Sequence, residues 1–248
     1  MKIIPLSEGA FTIDKTKIFV PFNKEKDDLQ QRAVGSLLVE VQPFCIVTKS
    51  DIIVIDTGLG FSNKEGYLQI HQNLLNNGIN PMEVTKVLLS HLHKDHSGGI
   101  SMEDKILHQH FISFQNAVYY VNKEELAFGL DKANTSYNRE DFEILANADK
   151  VIFTTGNGVI DGYITYEVTG AHCPFHQVFW IEEEGKKVFF GGDVAPQLQQ
   201  MKSRFIAKYD FDGKKCMELR QHWWQTGQEE KWTFLFYHDV KTPMAEFK

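Results

Sequence analysis

Residues 91–96, His91-Leu92-His93-Lys94-Asp95-His96, place four metal-capable side chains within six positions and run into Ser97-Gly98-Gly99. On an extended backbone successive side chains alternate, so His91, His93 and Asp95 are predicted to face one way. His96 reaches a second ion only if the chain turns. The glycines are expected to supply that turn, because they tolerate backbone angles that other residues resist. Val87-Leu88-Leu89, with Val84 nearby, precede the run, so the ligands sit where a buried strand emerges. Imidazole combined with carboxylate suits zinc, manganese or iron. A lone histidine is ordinarily a surface or core residue, but no packing role needs three imidazoles so close together. The run reads as a metal site.

Four further segments follow one another along the chain. Ile52-Ile53-Val54-Ile55 ends in Asp56-Thr57-Gly58; Thr169-Gly170-Ala171-His172-Cys173-Pro174-Phe175-His176 comes after the histidine run. Phe189-Phe190-Gly191-Gly192-Asp193 and Leu235-Phe236-Tyr237-His238-Asp239 complete the set. In this order the five segments resemble the metallo-β-lactamase-fold metallohydrolases over nearly the whole chain. The resemblance implies an α/β fold, an αββα sandwich of two mixed β-sheets flanked by helices, with residues 1–248 forming one domain. It also implies two divalent metal ions, zinc first, with manganese or iron(II) as alternatives. Carried across position by position, one ion is held by His91, His93 and His172, and the other by Asp95, His96 and His238. Asp193 bridges them. Asp56 then stands behind the ligands, where a carboxylate orients metal-bound imidazole and raises its basicity, and His176 braces the site without binding. Read on their own, Asp56 is a turn former before Gly58 and His238 a core histidine at the end of an apolar strand.

Charge explains why such a site hydrolyses. Two divalent ions bring four positive charges, and Asp95, Asp193 and a bridging hydroxide return three. The excess polarises a carbonyl or phosphoryl oxygen and steadies the oxyanion that develops. Metal binding lowers the pKa of water from about 16 towards about 7, so hydroxide is available at neutral pH. The chain has no Gly-x-Ser-x-Gly elbow, in keeping with a mechanism that needs no serine nucleophile. Asp95 and Asp193 are the catalytic carboxylates, Asp95 passing a proton to the leaving alkoxide.

Asp193 stands where many zinc β-lactamases have cysteine, and His96 where arginine is common. His93 replaces the glutamate usual in flavodiiron oxygen reductases. What remains resembles the lactonase and organophosphate-hydrolase branch, which includes quorum-quenching lactonases. The expected substrate is therefore a neutral lactone or ester, with phosphotriesters as a second class. Alternatives are a mononuclear iron dioxygenase resembling the persulfide dioxygenases, a thioesterase resembling glyoxalase II, and a non-catalytic binding protein. Two positions depart from the branch. Val194-Ala195-Pro196 follow the bridging aspartate where a carbonyl-holding tyrosine is usual. Tyr209 either replaces it or is an ordinary half-buried tyrosine. Phe175 occupies a usual glycine position, and its bulk either narrows the pocket or packs away from it.

The net charge of −7 argues against a nucleic-acid surface, which calls for clustered lysine and arginine. The length of 248 residues allows a sizeable core. Cys45, Cys173 and Cys216 are odd in number and widely spaced, which suggests a reducing, cytoplasmic setting. Cys173 reads as a small buried residue and not as a catalytic thiol. No signal peptide is visible, since Pro5 and Glu8 interrupt the start, and no run of about 18 apolar residues occurs. Partners reduce to a small-molecule substrate, without nucleic acid or membrane; the oligomeric state is not legible.

The elements that must position these residues follow from periodicity. Residues 36–41, 44–48 and 52–56 read as strands, as do 117–121, 163–169 and 233–238. A hairpin joins 178–181 to 187–190 around Glu184-Gly185. Helices are predicted over 67–77, with Leu68, Leu74 and Leu75 inward and Gly78 as the stop, and over 140–148. Asn80-Pro81 opens a short helix, and Asn122 caps one over 123–128. A last helix over 214–225 carries Cys216, Leu219 and Trp223 on one stripe. Phe22, Phe44, Trp223 and Trp224 are candidates to line an acyl pocket.

Overall fold

Strand alternation sets the layers. Within Ile52–Ile55, Ile53 and Ile55 point into a core shared by two sheets, whereas Val54 turns to the other face and joins Val87 and Leu89. The second sheet does the same: Phe179, Ile181 and Phe190 point inward, and Val178, Trp180 and Phe189 outward. Each fully buried side chain of this size contributes about 1.5–3 kcal/mol. A one-residue register slip would invert a whole strand's contribution.

The computed structural model describes residues 1–104, 109–132 and 135–247. The first six-stranded sheet runs Lys2–Pro5, Phe44–Val47, Ile52–Ile55, Lys86–Leu88, Val118–Asn122 and Val151–Thr154 in spatial order. Its first two junctions are antiparallel and the rest parallel. The second runs Gly158–Ile160, Ile164–Val168, Gln177–Glu183, Lys186–Phe190, Thr233–Leu235 and Met244–Glu246. All its junctions are antiparallel except that of Lys186–Phe190 with Thr233–Leu235. A small sheet of Val20–Phe22, Gly9–Ile13 and Leu37–Val41, and a pair Ser101–Asp104 with Gln109–Ile112, lie beside them.

Helices cover both outer faces. Ile70 and Leu74 of Gln69–Asn76 and Leu126 of Lys123–Asp131 pack on the outer face of the first sheet. Cys216 and Trp223 of Gly213–Glu229 pack on the second, against Trp180, Phe189 and Phe234. The expected αββα sandwich of two mixed sheets is the architecture found.

Local differences have physical reasons. Leu75 is 49% exposed, because the inward stripe of its helix runs through Ile70, His71 and Leu74. The 140–148 helix divides into Arg139–Phe142 and a 3-10 turn, Glu143–Ala146. The last predicted strand ends at Leu235, since Phe236 N–H donates to Pro243 and His238 N–H to Pro196 at 3.0 Å, outside the ladder. Glu184 and Gly185 both take positive φ, 51° and 73°, the turn that suits a two-residue hairpin. Asn122 accepts from Glu125 N–H as the helix cap. Phe44 lies inside the sandwich, and Trp223 and Trp224 pack in or against the outer core.

Candidate metal centre

Two pairs of parallel strands end at the site. Ile52–Ile55 leads to Asp56, Lys86–Leu88 to Ser90 and His91, Lys186–Phe190 to Asp193, and Thr233–Leu235 to His238. The carboxyl ends of parallel strands are where open α/β sheets gather ligands.

Asp56 sits at φ +56°, a left-handed conformation that costs a non-glycine residue of order 1 kcal/mol. Three hydrogen bonds offset it. Its carboxylate accepts from Ser90 N–H at 2.7 Å, from Ser90 Oγ at 2.7 Å and from His96 Nδ1 at 2.7 Å. Thr57 N–H then donates to the His96 carbonyl at 2.7 Å, so the strand end and the histidine run are tied twice.

The histidine run is not extended throughout. Lys94–Ser97 forms a single helical turn with His93 at its N-cap. The turn carries Asp95 away from His91 and His93, which corrects the expectation that the three share a face. The glycines also act differently from the expectation. Gly98 has ordinary right-handed angles, φ −58° and ψ −29°. A Cβ there would lie 2.3 Å from the Leu59 backbone, and one on Gly99 2.3 Å from the Thr57 carbonyl oxygen. They allow the Asp56 loop and the histidine run to pack backbone against backbone.

The predicted ligands converge in two groups, His91, His93, His172 and Asp193 in one, Asp95, His96 and His238 in the other, with the donor atoms of each group within 4.8 Å of one another. Asp193 divides its oxygens between them. Oδ1 lies 3.1 Å from His96 Nε2 and 3.0 Å from His238 Nε2, and Oδ2 lies 3.2 Å from His172 Nε2. His172 Nε2 is 3.1 Å from His93 Nδ1, and His238 Nε2 is 3.4 Å from Asp95 Oδ2.

The outer ring nitrogens have other partners. Besides His96 on Asp56, His172 Nδ1 lies 2.8 Å from Asp210 Oδ1, and His238 Nδ1 2.7 Å from the Glu40 carbonyl oxygen. An Nδ1–H donating in each pair leaves an Nε2 lone pair aimed at the centre. His91 Nε2, His96 Nε2 and Asp193 Oδ1 are buried without a hydrogen-bond partner. Buried polar atoms left so are costly, and cations in the two groups would satisfy all three. The donor set fits a metal.

Burial first, then the neighbouring His96, hold His91 well below the ordinary imidazole range; burial and His172 do so for His93. Burial opposes charge on His96, yet Asp193, Asp95 and Asp56 carry it well above that range. His238 is raised against burial by Asp193. Both shifts favour the protonated imidazole in the metal-free site, so a binding ion competes with those protons. Metal affinity is expected to fall as pH drops through their raised range, with protons released on binding. Calorimetric titration in two buffers of different ionisation enthalpy measures that release, and buffer-independent heats would contradict it.

The profile of the metallo-beta-lactamase superfamily matches residues 39–221. The chain belongs to that superfamily. Family and His/Asp cluster together make it a metal-dependent hydrolase served by divalent ions. No curated protein matches it in sequence. Solved structures share the superfamily fold. A probable metal-dependent hydrolase from Staphylococcus aureus is 20% identical with a TM-score of 0.77, the match covering 99% of this chain and 91% of that one. The hydrolase AbOPH of the beta lactamase superfamily is 20% identical with a TM-score of 0.75, covering 99% and 90%. AidC, a dizinc quorum-quenching lactonase, is 17% identical with a TM-score of 0.69, covering 98% and 89%.

The superfamily centre opens into a cavity of about 750 Å³ whose lining includes His93, Asp95, His172, Asp193 and His238. Its aromatic walls are Phe19, Phe205 and Tyr209; Phe22, Phe44, Trp223 and Trp224 are not among the lining residues, which corrects that expectation. Phe175 packs edge-on against Phe128 at 5.9 Å and is also absent from the lining. Tyr209 lies edge-on to His172, ring centroids 6.4 Å apart. Burial pushes its hydroxyl up to about 12, so it stays a hydrogen-bond donor at neutral pH. Burial and Glu125 raise the Cys173 thiol well above its ordinary range, in agreement with its reading as a non-catalytic residue. His176 is buried, and its Nε2 accepts from Asp193 N–H at 3.2 Å, a bracing contact.

Three supporting residues were missed in the sequence. Asp210 fixes His172; Tyr237 donates to the Asp95 carbonyl at 2.5 Å and stacks on His96, centroids 4.0 Å apart. Buried Glu125 accepts from Leu92 N–H at 3.1 Å, between two ligands, and from Tyr137 at 2.9 Å. No local pattern announces such partners, which lie 33 to 142 positions from the ligand segments they hold. Asp210→Ala is expected to lower metal affinity or rate by about 10–100-fold without abolishing the site. Competitive chelator titration checks this, and an unchanged affinity and rate would contradict it.

Proposed function

We propose that the protein is a dinuclear hydrolase of lactones or esters, with phosphotriesters as a second substrate class. The observation that carries the reading is the division of Asp193, one carboxylate oxygen toward His96 and His238 and the other toward His172. His91, His93 and His172 would hold one ion, Asp95, His96 and His238 the other, and Asp193 both. Two zinc ions, or manganese or iron(II) in their place, would supply hydroxide at neutral pH and draw charge from the scissile carbonyl. Asp95, in the cavity lining, would hand a proton to the leaving alkoxide. Tyr209 offers its hydroxyl from the wall where the branch's usual tyrosine is replaced by Val194-Ala195-Pro196. His176, Asp56 and Asp210 hold the ligands in register.

Residues 1–248 are taken as one domain, a reading supported by Lys2–Pro5 in the first sheet and Met244–Glu246 in the second. The three cysteines are free and buried, which supports a reducing compartment such as the cytoplasm. No helix among the described residues is long and apolar enough to cross a membrane. The test is a kinetic panel of lactone, aryl ester, thioester, phosphotriester, penicillin and RNA with zinc- and manganese-loaded protein. Turnover of lactone or ester is expected. Oxygen uptake by an iron-loaded, single-ion protein, with no hydrolysis, would establish the dioxygenase alternative instead.

A further inference from the structure

The cavity wall carries charge that the chain's overall balance conceals. In a protein of net charge −7, Lys15, Lys17, Lys94 and Lys208 all line this one cavity. They come from three separate segments: the loop after Gly9–Ile13, the helical turn beside His93, and the stretch that leads to Tyr209. Some lysines elsewhere are paired, as Lys24 is with Glu40, Lys86 with Asp51 and Lys187 with Glu230. Among the described residues none of the cavity's four lysines lies within ion-pair distance of a carboxylate.

Two of them are held against the wall. Lys17 sits at φ +58°, its amide donating to the Asp14 carbonyl, and its ammonium lies 6.0 Å from the Tyr209 ring centroid. The Lys94 ammonium lies 5.9 Å from that of Phe19. Of the three acids in the lining, Asp95 and Asp193 belong to the metal groups, and Asp14 accepts from Thr16 N–H at 2.8 Å and its hydroxyl at 2.5 Å. The rest of the wall is largely apolar, with Ile13, Leu37, Val39 and Phe205. Cationic groups around a partly enclosed cleft raise the local concentration of anions and their association rate.

We propose that the physiological substrate is a small anion, an ester or lactone with an apolar body and a carboxylate or phosphate group that rests among Lys15, Lys17, Lys94 and Lys208. The inference rests on the hydrolase reading above and replaces the expectation of a neutral substrate, which followed from the resemblance to the lactonase branch and from the overall charge. A polynucleotide would need a continuous basic track, whereas these lysines surround one cavity.

Three aryl esters with the same leaving group test it on metal-loaded enzyme: 4-nitrophenyl hexanoate, mono-4-nitrophenyl adipate, and the 4-nitrophenyl ester of 5-phosphonopentanoic acid. At low ionic strength one or both anionic esters should exceed the hexanoate in kcat/KM by at least about tenfold, and the larger value tells carboxylate from phosphate. The advantage should shrink as salt screens the lysines. In the double variant Lys17→Gln/Lys208→Gln the anionic-to-neutral ratio should fall towards one, and Lys17→Arg/Lys208→Arg should restore it. Turnover of the hexanoate with no advantage for either anion overturns this inference and leaves the hydrolase standing. Turnover of none of the three overturns both.

Discussion

Asp193→Ala is expected to lose hydrolysis and to loosen both ions together. Its carboxylate lies between both clusters, with one oxygen 3.0–3.1 Å from His96 and His238 and the other 3.2 Å from His172. Against burial, His238, His96 and His172 hold the Asp193 carboxyl well below the usual carboxylate range, so its removal takes an anion from the middle of the site. A bound metal contributes several kcal/mol of transition-state charge stabilisation, and each 1.36 kcal/mol is a factor of ten. A fall in kcat/KM of at least about 10³-fold should follow, with metal content well below that of the parent. His91→Ala should weaken mainly the ion at His93 and His172. Elemental analysis after dialysis, run beside the kinetics, checks both. Full activity in Asp193→Ala would remove the bridging role.

Gly98→Ala is the second large effect, and its sign runs against propensity. Gly98 ends a helical turn with right-handed angles, where alanine is ordinarily favoured over glycine by up to about 1 kcal/mol. Here the added Cβ would lie 2.3 Å from Leu59 C, 2.4 Å from Leu59 O and 2.8 Å from Gly60 N. These are backbone atoms that cannot rotate aside, and Gly60 faces Gly98 just as closely. Overpacking a rigid contact costs about 1–3 kcal/mol and at times more, and a backbone clash belongs at the upper end. The strain falls between Asp56 and His96, so metal affinity should drop with stability. Gly156→Ala is the control. Gly156 has φ +55° but open space around it, so only the left-handed penalty of about 1–2 kcal/mol applies. Denaturant unfolding of both variants, with and without metal, separates the two effects, and a Gly98→Ala protein as stable as the parent would contradict the packing argument.

That contrast also marks how much the sequence reveals. The layers were legible because alternation in Ile52–Ile55 and in Gln177–Glu183 is local. The residue types and order of the site were legible because the ligands fall in four short segments, with Asp56 in a fifth. Local sequence did not show that Lys94–Ser97 closes into a helical turn, because that depends on the Thr57 contacts with the His96 carbonyl. It did not separate a glycine needed for its angles from one needed for its missing side chain, a distinction that Leu59 decides from 39 positions away. Asp210 behind His172 and Glu125 beneath Leu92 are pairings made only by the assembled sheets. The cavity lining was misjudged for the same reason. Trp223 is consumed by the outer core, while Phe19, Phe205 and Tyr209 reach the opening from loops.

The dinuclear reading is tested most directly by anomalous diffraction from crystals of metal-replete protein, measured on both sides of the zinc absorption edge. Two anomalous peaks per chain are expected, one within bonding distance of His91, His93 and His172, the other of Asp95, His96 and His238, each touching a different oxygen of Asp193. A single peak, or two peaks that leave Asp193 uncoordinated, would contradict it.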